Sequence, residues 1–266
     1  MLVQVRLVLA VAAGSLAMPA AARGQPAAES APVVTVRSDI FCPFVCEAES
    51  DRPGYVIELT RAAFAHHGYQ VDYQVIPYAR AIEATRHGAF DAVAAVAVED
   101  TPGFIFSHVV GLSPTVLATR KGSGFVWRGP ESLEPLRLGA VIGIESWGSE
   151  VSGYIAANRD NPDRVDFSGG DEPYTMNVRK LLAGRVDVIA DSGPVLTYRL
   201  MRMGVADRVE IHTVPNEVQP LMMGFSPANA RSETLVRLFN DGLAQARTSG
   251  ELTRILARYD LADWEP

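Results

Sequence analysis

Two widely separated segments carry the same short pattern. Gly88-Ala-Phe-Asp91-Ala-Val and Gly184-Arg-Val-Asp187-Val-Ile each set a glycine, two residues, an aspartate and then an apolar run in a row. A helix stopped by a left-handed glycine, followed by a strand covered on both faces, accounts for the glycine and for the run. Asp91 and Asp187 then read as residues that cap or hold the turns, outside any site. Repetition of the pattern implies that one structural unit occurs twice, and this limits the folds open to the chain.

The surrounding elements agree. In the first unit, residues 33–36 form a strand, and a helix over 55–67 has Val56, Leu59 and Ala63 on one face and Gly68 beyond its end. Val71, Tyr73 and Val75 alternate as a half-buried strand does, a helix over 79–87 ends at Gly88, and 92–98 is an apolar strand. The second unit repeats this with a strand at 136–142, a helix at 149–158, a strand at 164–167, a helix at 175–182 and an apolar strand at 186–190. A helix over 195–203, a strand over 209–212, an extended stretch over 214–224 with two prolines, and amphipathic helices over 232–247 and 250–259 complete the chain. Ser232 and Glu233 supply an N-cap and a negative first turn.

The fold class is therefore α/β, with two Rossmann-like lobes. Lys121-Gly-Ser-Gly-Phe125 is flexible and polar, as a lobe boundary is. If the C-terminal helices return to the first lobe, the chain crosses between lobes twice, and a double crossing makes a hinge. The expected division is lobe 1 over 33–118 plus 222–266, lobe 2 over 122–213, and crossovers at 119–121 and 214–221.

The N-terminus says where such a chain works. Arg6 precedes an uncharged stretch rich in Leu, Val and Ala that ends in Pro19-Ala-Ala-Ala22, the pattern of a secretory signal peptide over 1–22 cleaved near Ala22. The stretch is shorter than the ~20 apolar residues that span a bilayer. With no Cys near the cleavage region and no later long apolar segment, the expectation is an exported protein with no stable membrane anchor. Residues 23–32 are small, polar and Pro-bearing, a loose leader. The formal charge is −7, and removing the signal peptide takes away a single Arg, so nucleic acid is an unsuitable partner.

Both cysteines, Cys42 and Cys46, fall in Phe41-Cys-Pro-Phe-Val-Cys46. Export favours a local disulfide there, one that shapes a loop more than it holds up the fold. Metal binding would need further ligands nearby. The five His residues are dispersed, without the paired spacing of a zinc site, and Gly143-Ile-Glu-Ser-Trp-Gly148 has Ile144 where a nucleophile elbow needs Gly. No Gly-rich phosphate loop occurs. No cofactor is implied, and the sequence favours a binder over an enzyme.

Several stretches, in this order, resemble family 3 extracellular solute-binding proteins, the polar-amino-acid class that serves ABC importers. They are Ser38-Asp-Ile-Phe-Cys-Pro-Phe44, Gly54-Tyr-Val-Ile-Glu-Leu59, Pro77-Tyr-Ala-Arg-Ala-Ile82, Gly88 to Val93, Gly184 to Asp191, and Ser249-Gly-Glu-Leu-Thr-Arg-Ile-Leu256. The resemblance implies a type II periplasmic binding protein fold that closes like a Venus flytrap on a small polar solute. It implies a periplasmic monomer that delivers its solute to a membrane permease. Phe41 and Tyr78 match pocket walls, Val96, Ala97, Glu99 and Asp100 lie in the loop that holds a ligand carboxylate, and the stretch from Ile142 to Ser146, with Trp147 close by, is the second lobe's contribution. Asp191 matches the carboxylate that accepts hydrogen bonds from a ligand ammonium.

The chain also departs from the family pattern. In place of hydroxyl donors and an arginine clamp it has Ala95-Val-Ala-Val-Glu-Asp-Thr-Pro-Gly-Phe104, with no Arg and two acids. A carboxylate is best held by a bidentate guanidinium. The departure favours a cationic or amine-bearing ligand, unless Arg80 reaches a carboxylate from another side. Other roles stay open: Asp191 as an N-cap before Pro194, Arg80 as a solvated helix residue, and Glu99 and Asp100 as ordinary loop acids. A lyase or dehydratase on the same fold would draw its acid and base from Glu99, Asp100 or Asp191. A ligand-sensing partner of a membrane receptor is the third class.

Overall fold

The computed structural model describes residues 1, 2, 4, 31–142, 144, 147–170 and 172–264. Apart from Met1, Leu2 and Gln4, the expected signal peptide lies outside the described residues, as do residues 23–30 of the leader and Ser146.

Eight strands form one mixed sheet in the order β2-β1-β3-β8-β4-β7-β5-β6. In the first half β1 (Val33–Ser38) runs parallel to β2 (Gln70–Val75) and β3 (Ala92–Val96), with α1 (Tyr55–Ala65) and α2 (Tyr78–Arg86) as the crossovers. In the second half β5 (Leu138–Val141) runs parallel to β6 (Val165–Ser168) and β7 (Val188–Ser192), with α3 (Gly148–Ala157) and α4 (Pro173–Leu182) between them. β4 (Ile105–Arg120) and β8 (Val209–Phe225) pair antiparallel and occupy the middle of the sheet. The helices α5 (Gly193–Met203), α6 (Ser232–Thr248) and α7 (Glu251–Ala257) and two short 3-10 turns at Pro130–Leu133 and Ala206–Arg208 complete the described elements.

The repeated motif performs the same task in both halves. Gly88 and Gly184 adopt φ of 80° and 71°, which release the chain from α2 and α4 without a Cβ clash. The amide of Asp91 donates to the Thr35 carbonyl (3.1 Å) and that of Asp187 to the Arg137 carbonyl (2.9 Å). Each carboxylate accepts in return, Asp91 from the Thr35 amide (2.8 Å) and Asp187 from the Arg137 amide (3.1 Å). The aspartate thus stitches the third strand of each unit to the start of its first. Each also takes a guanidinium, Asp91 from Arg231 (2.5 Å) and Asp187 from Arg120 (3.3 Å).

The first core gathers Val34, Val36, Phe64, Phe225 and Phe239, so α6 and α7 do return to the first half. The second half packs two clusters on its two sheet faces, one with Leu117, Leu138 and Val188, the other with Leu181, Ile189 and Leu196. Phe41 packs against both the first-half core and the Leu117 cluster.

β4 is the element that the sequence concealed. Gly111 and Pro114 interrupt it, and its buried residues follow no two-residue alternation. Bulges between Phe106 and Val109, Val109 and Gly111, and Pro114 and Val116 absorb them. β8 likewise runs unbroken through Pro215 and Pro220, joining stretches that read as separate in the sequence. Over residues 111–114, β4 pairs with β8 and not with β7, whose pairing begins at Thr115. The halves are therefore connected there by a two-strand ribbon.

Two substitutions test this packing. Asp91 is 2% exposed, and its removal leaves the Thr35 amide and the Arg231 guanidinium without their partner. Asp91→Ala is expected to cost about 3 kcal/mol, read as a lowered urea midpoint with an unchanged slope. A Cβ on Gly242 would stand 2.3 Å from the Ala63 carbonyl oxygen, where α6 crosses α1. Gly242→Ala is expected to force those helices apart and lower the melting temperature, at a cost of about 2 kcal/mol.

Candidate ligand-binding site

A cavity lies where the two halves meet across the ribbon. It is lined by Asp39 and Phe41 after β1, Tyr78 at the start of α2, Ala95, Ala97 and Asp100 around the end of β3, and Ser113, Gln219 and Leu221 from the ribbon. The second half supplies Ile144, Trp147 and Tyr174. Most of these positions follow the carboxyl ends of strands or open helices, where α/β sheets bind ligands.

Local bonding holds each wall. Ser38 Oγ donates to the Ala94 carbonyl (3.1 Å) and so anchors the loop that carries Asp39. Phe41 exchanges backbone hydrogen bonds with Val45 (2.8 and 3.2 Å), the Cys42–Cys46 disulfide closes the same loop, and Tyr73 Oη donates to the Cys46 carbonyl (2.7 Å). Ala95 has φ of 54°, a left-handed conformation unusual for a residue with a Cβ, within the register shift between Val93 and Val96 in the β3–β8 pairing. Beyond it Thr101 Oγ1 donates to the Ala97 carbonyl (2.8 Å), and Tyr78 Oη donates to Asp100 (3.1 Å). On the other side, Asn177 bonds Ser168 (2.6 Å) and the Ala140 carbonyl (3.1 Å), which fixes α4 and with it Tyr174.

Aromatic rings meet across the gap between the halves. Phe41 lies 5.4 Å from Phe44 and 6.1 Å from Tyr174, and Tyr174 meets Trp147 nearly edge-on at 6.5 Å. Arg199 of α5 lies over the Tyr174 ring at 4.7 Å and pairs with Asp191 at 2.6 Å. The Trp147 indole Nε1 is buried and has no hydrogen-bond partner among the described residues.

The electrostatics are those of an acidic pocket. Burial pushes the Asp39 carboxyl up to about 6, while its own amide and the more distant Arg199 pull the other way. No ion pair is made by Asp39 among the described residues. Burial likewise raises Asp191 to about 6 against the pull of Arg199, so it is ionised at neutral pH and paired. Tyr78 and Tyr174 are held well above the usual phenol range, first by burial and then by the nearby carboxylates, and both stay neutral.

Of the residues expected from the sequence, Phe41, Tyr78, Ala97, Asp100 and Trp147 come together in the cavity wall. Val96 is buried behind it, packed with Ala81, Val93 and Phe104. Arg80 and Glu99 are exposed and outside the lining. Ile142 is 62% exposed, and Ile144 stands in the wall instead. Asp191 is 1% exposed and taken up by Arg199 and the Ser192 amide (2.8 Å), so it does not line the cavity.

Ile144 falls within the stretch 142–146 expected from the sequence, whereas Asp39, Ala95, Ser113, Tyr174, Gln219 and Leu221 were not singled out. Asp39 follows directly on a buried strand inside a quoted motif, and Tyr174 follows Pro173 at a helix start, so position gave a signal for both. Ser113, Gln219 and Leu221 belong to the concealed ribbon. No group of three His, Cys, Asp or Glu is placed to hold a metal among the described residues, and no His is among the lining residues. Among the described residues no helix is long and apolar enough to cross a membrane.

The same fold occurs in solved structures of low sequence identity. One is an ABC uptake transporter substrate-binding protein from Streptococcus pneumoniae with bound histidine, 20% identical over 85% of this chain and 92% of that one, with a TM-score of 0.70. Another is an ancestral arginine-binding protein bound to arginine, 18% identical over 87% and 99%, TM-score 0.69. A third is a histidine kinase sensor domain with similarity to periplasmic binding proteins, 17% identical over 86% and 96%, TM-score 0.70. No curated protein sequence matches significantly. Residues 33–262 match the family of bacterial extracellular solute-binding proteins, family 3, and the chain belongs to that family.

Proposed function

We propose that the chain is the periplasmic binding component of an ABC importer, which captures a small polar, amino-acid-like or amine-bearing solute between two lobes and presents the closed form to a membrane permease. The observation that carries the reading is the cavity, whose wall is drawn from both halves and from the ribbon between them. A solute there meets its full set of contacts only when the halves are together, so binding shifts the population toward closure. In this reading the pivot is the β4–β8 ribbon at 111–114 and 218–221 rather than a crossover at 119–121, so the first lobe ends before 111 and residues 115–118, expected in the first lobe, move with the second. The relatives bound to histidine and to arginine support an amine-bearing solute.

The likeness to a histidine kinase sensor domain favours a second reading, in which the same closure reports the solute to a membrane receptor. Uptake of labelled solute by cells lacking the gene separates the two: lost uptake supports transport, and unchanged uptake with a lost transcriptional response supports sensing. Catalysis is not part of either reading.

Four outcomes are expected. Adding the solute to the mature monomer should shrink its radius of gyration in solution scattering, with one solute bound per chain in calorimetry; binding without contraction would refute closure. Affinity for a cationic solute should fall as the pH is lowered through about 6, because Asp39 gains its proton there and no longer offers a negative charge. Asp39→Asn should weaken binding at pH 7.5 at least about tenfold and flatten that pH profile. The same substitution should stabilise the ligand-free protein at pH 7. Asp39 has its carboxyl raised on folding, so it favours the folded state only below the unfolded value near 3.8 and opposes it increasingly as pH rises to about 6.

A further inference from the structure

We propose that the pocket selects an organic cation that carries no carboxylate, its charged nitrogen seated among Phe41, Tyr78, Trp147 and Tyr174 and facing Asp39 and Asp100. The proposal rests on the reading of this cavity as the solute site and names the class of solute.

Charge balance is the first argument. The lining carries Asp39 and Asp100 and, among the described residues, neither Lys nor Arg. The nearby guanidinium, Arg199, is neutralised by Asp191 at 2.6 Å and covered by Tyr174 at 4.7 Å, and it is not part of the wall. An α-amino acid brings a carboxylate that must leave water for a cation or a cluster of donors. Facing the Asp39 carboxylate, it would meet repulsion instead. A lone ammonium meets attraction.

The second argument concerns the donors that could replace a guanidinium. The N-terminus of α3 stands next to Trp147 and would suit an anion. It already holds one from within the chain: the Glu217 carboxylate, reaching over from β8, accepts from the Ser149 amide (2.9 Å), the Ser149 hydroxyl (2.9 Å) and the Glu150 amide (3.1 Å). A solute carboxylate would have to displace it.

The aromatic rings provide the third argument. Phe41, Tyr174 and Trp147 lie within 6.1 to 6.5 Å of one another in sequence around the gap, and Tyr78 adds a fourth ring on the Asp100 side. Ring faces attract cations through their quadrupoles, most strongly where water is excluded. The indole N–H of Trp147, which has no partner among the described residues, is a donor that suits an uncharged acceptor on the solute such as a hydroxyl or a ring nitrogen.

Calorimetry on the mature protein with matched pairs tests this: choline against glycine betaine, histamine against histidine, agmatine against arginine and cadaverine against lysine. In any pair that binds, the member without the carboxylate is expected to bind at least about tenfold tighter, the factor that a contact of about 1.4 kcal/mol gives. Trp147→Phe keeps a ring in the wall and removes the N–H; its affinity for choline or histamine should drop several-fold while the circular dichroism spectrum is retained. Equal or tighter binding of the carboxylated members would overturn the proposal and leave the solute-binding reading intact. Binding confined to sugars or to dicarboxylic acids in a wider screen would do the same. No binding across that screen would overturn both.

Discussion

The hydrogen-bonded pair β4 and β8 is the constraint on which the other features depend. Each strand belongs to both halves, so the sheet is one object even though its hydrophobic cores are separate. Where the two pair only with each other, Ser113, Gln219 and Leu221 form part of the cavity wall. The connection between the halves and the base of the site are thus the same few residues. In the proposed motion, two extended, mutually bonded segments could bend and twist while their backbone groups stay paired, so no unsatisfied amides would be exposed.

The helices and parallel strands were legible because their signals are local. A glycine with a left-handed φ ends a helix whatever surrounds it, and a run such as Ala92 to Val96 can only be buried. The aspartates of the repeat read as structural because they follow a helix stop, but the bonds they make, to the amides of Thr35 and Arg137 far back in the chain, have no local signal. β4 was not legible: its identity as a strand depends on partners about a hundred residues further along the chain, and Gly111 and Pro114 argue locally against it. Tertiary pairing overrides propensity there.

The site was half legible for a related reason. Phe41, Tyr78, Asp100 and Trp147 sit where strands or helices begin or end, and the alternating units bring such points together. Whether an acid in such a place faces the cavity depends on competition among side chains. Asp191 stands at the end of a buried strand, as a ligand contact would, yet Arg199 reaches it from α5 and claims it. Asp39 has no such partner among the described residues and remains a desolvated charge that opposes folding at neutral pH. Such a charge is the usual mark of a group kept for recognition rather than for stability.

Phe41 touches both cores, with Phe44 on one side and Tyr174 on the other. In the proposed closure on a solute, part of the cohesion between the halves would be supplied by this ring and not by the solute alone. The measured affinity of such a receptor is its intrinsic affinity scaled by the fraction of molecules already closed. Trimming or enlarging this one ring would move that fraction and, because the ring also lines the cavity, would alter the contacts with the solute at the same time. At Phe41 selectivity and sensitivity are therefore set by the same atoms, and neither can change there over evolutionary time without the other.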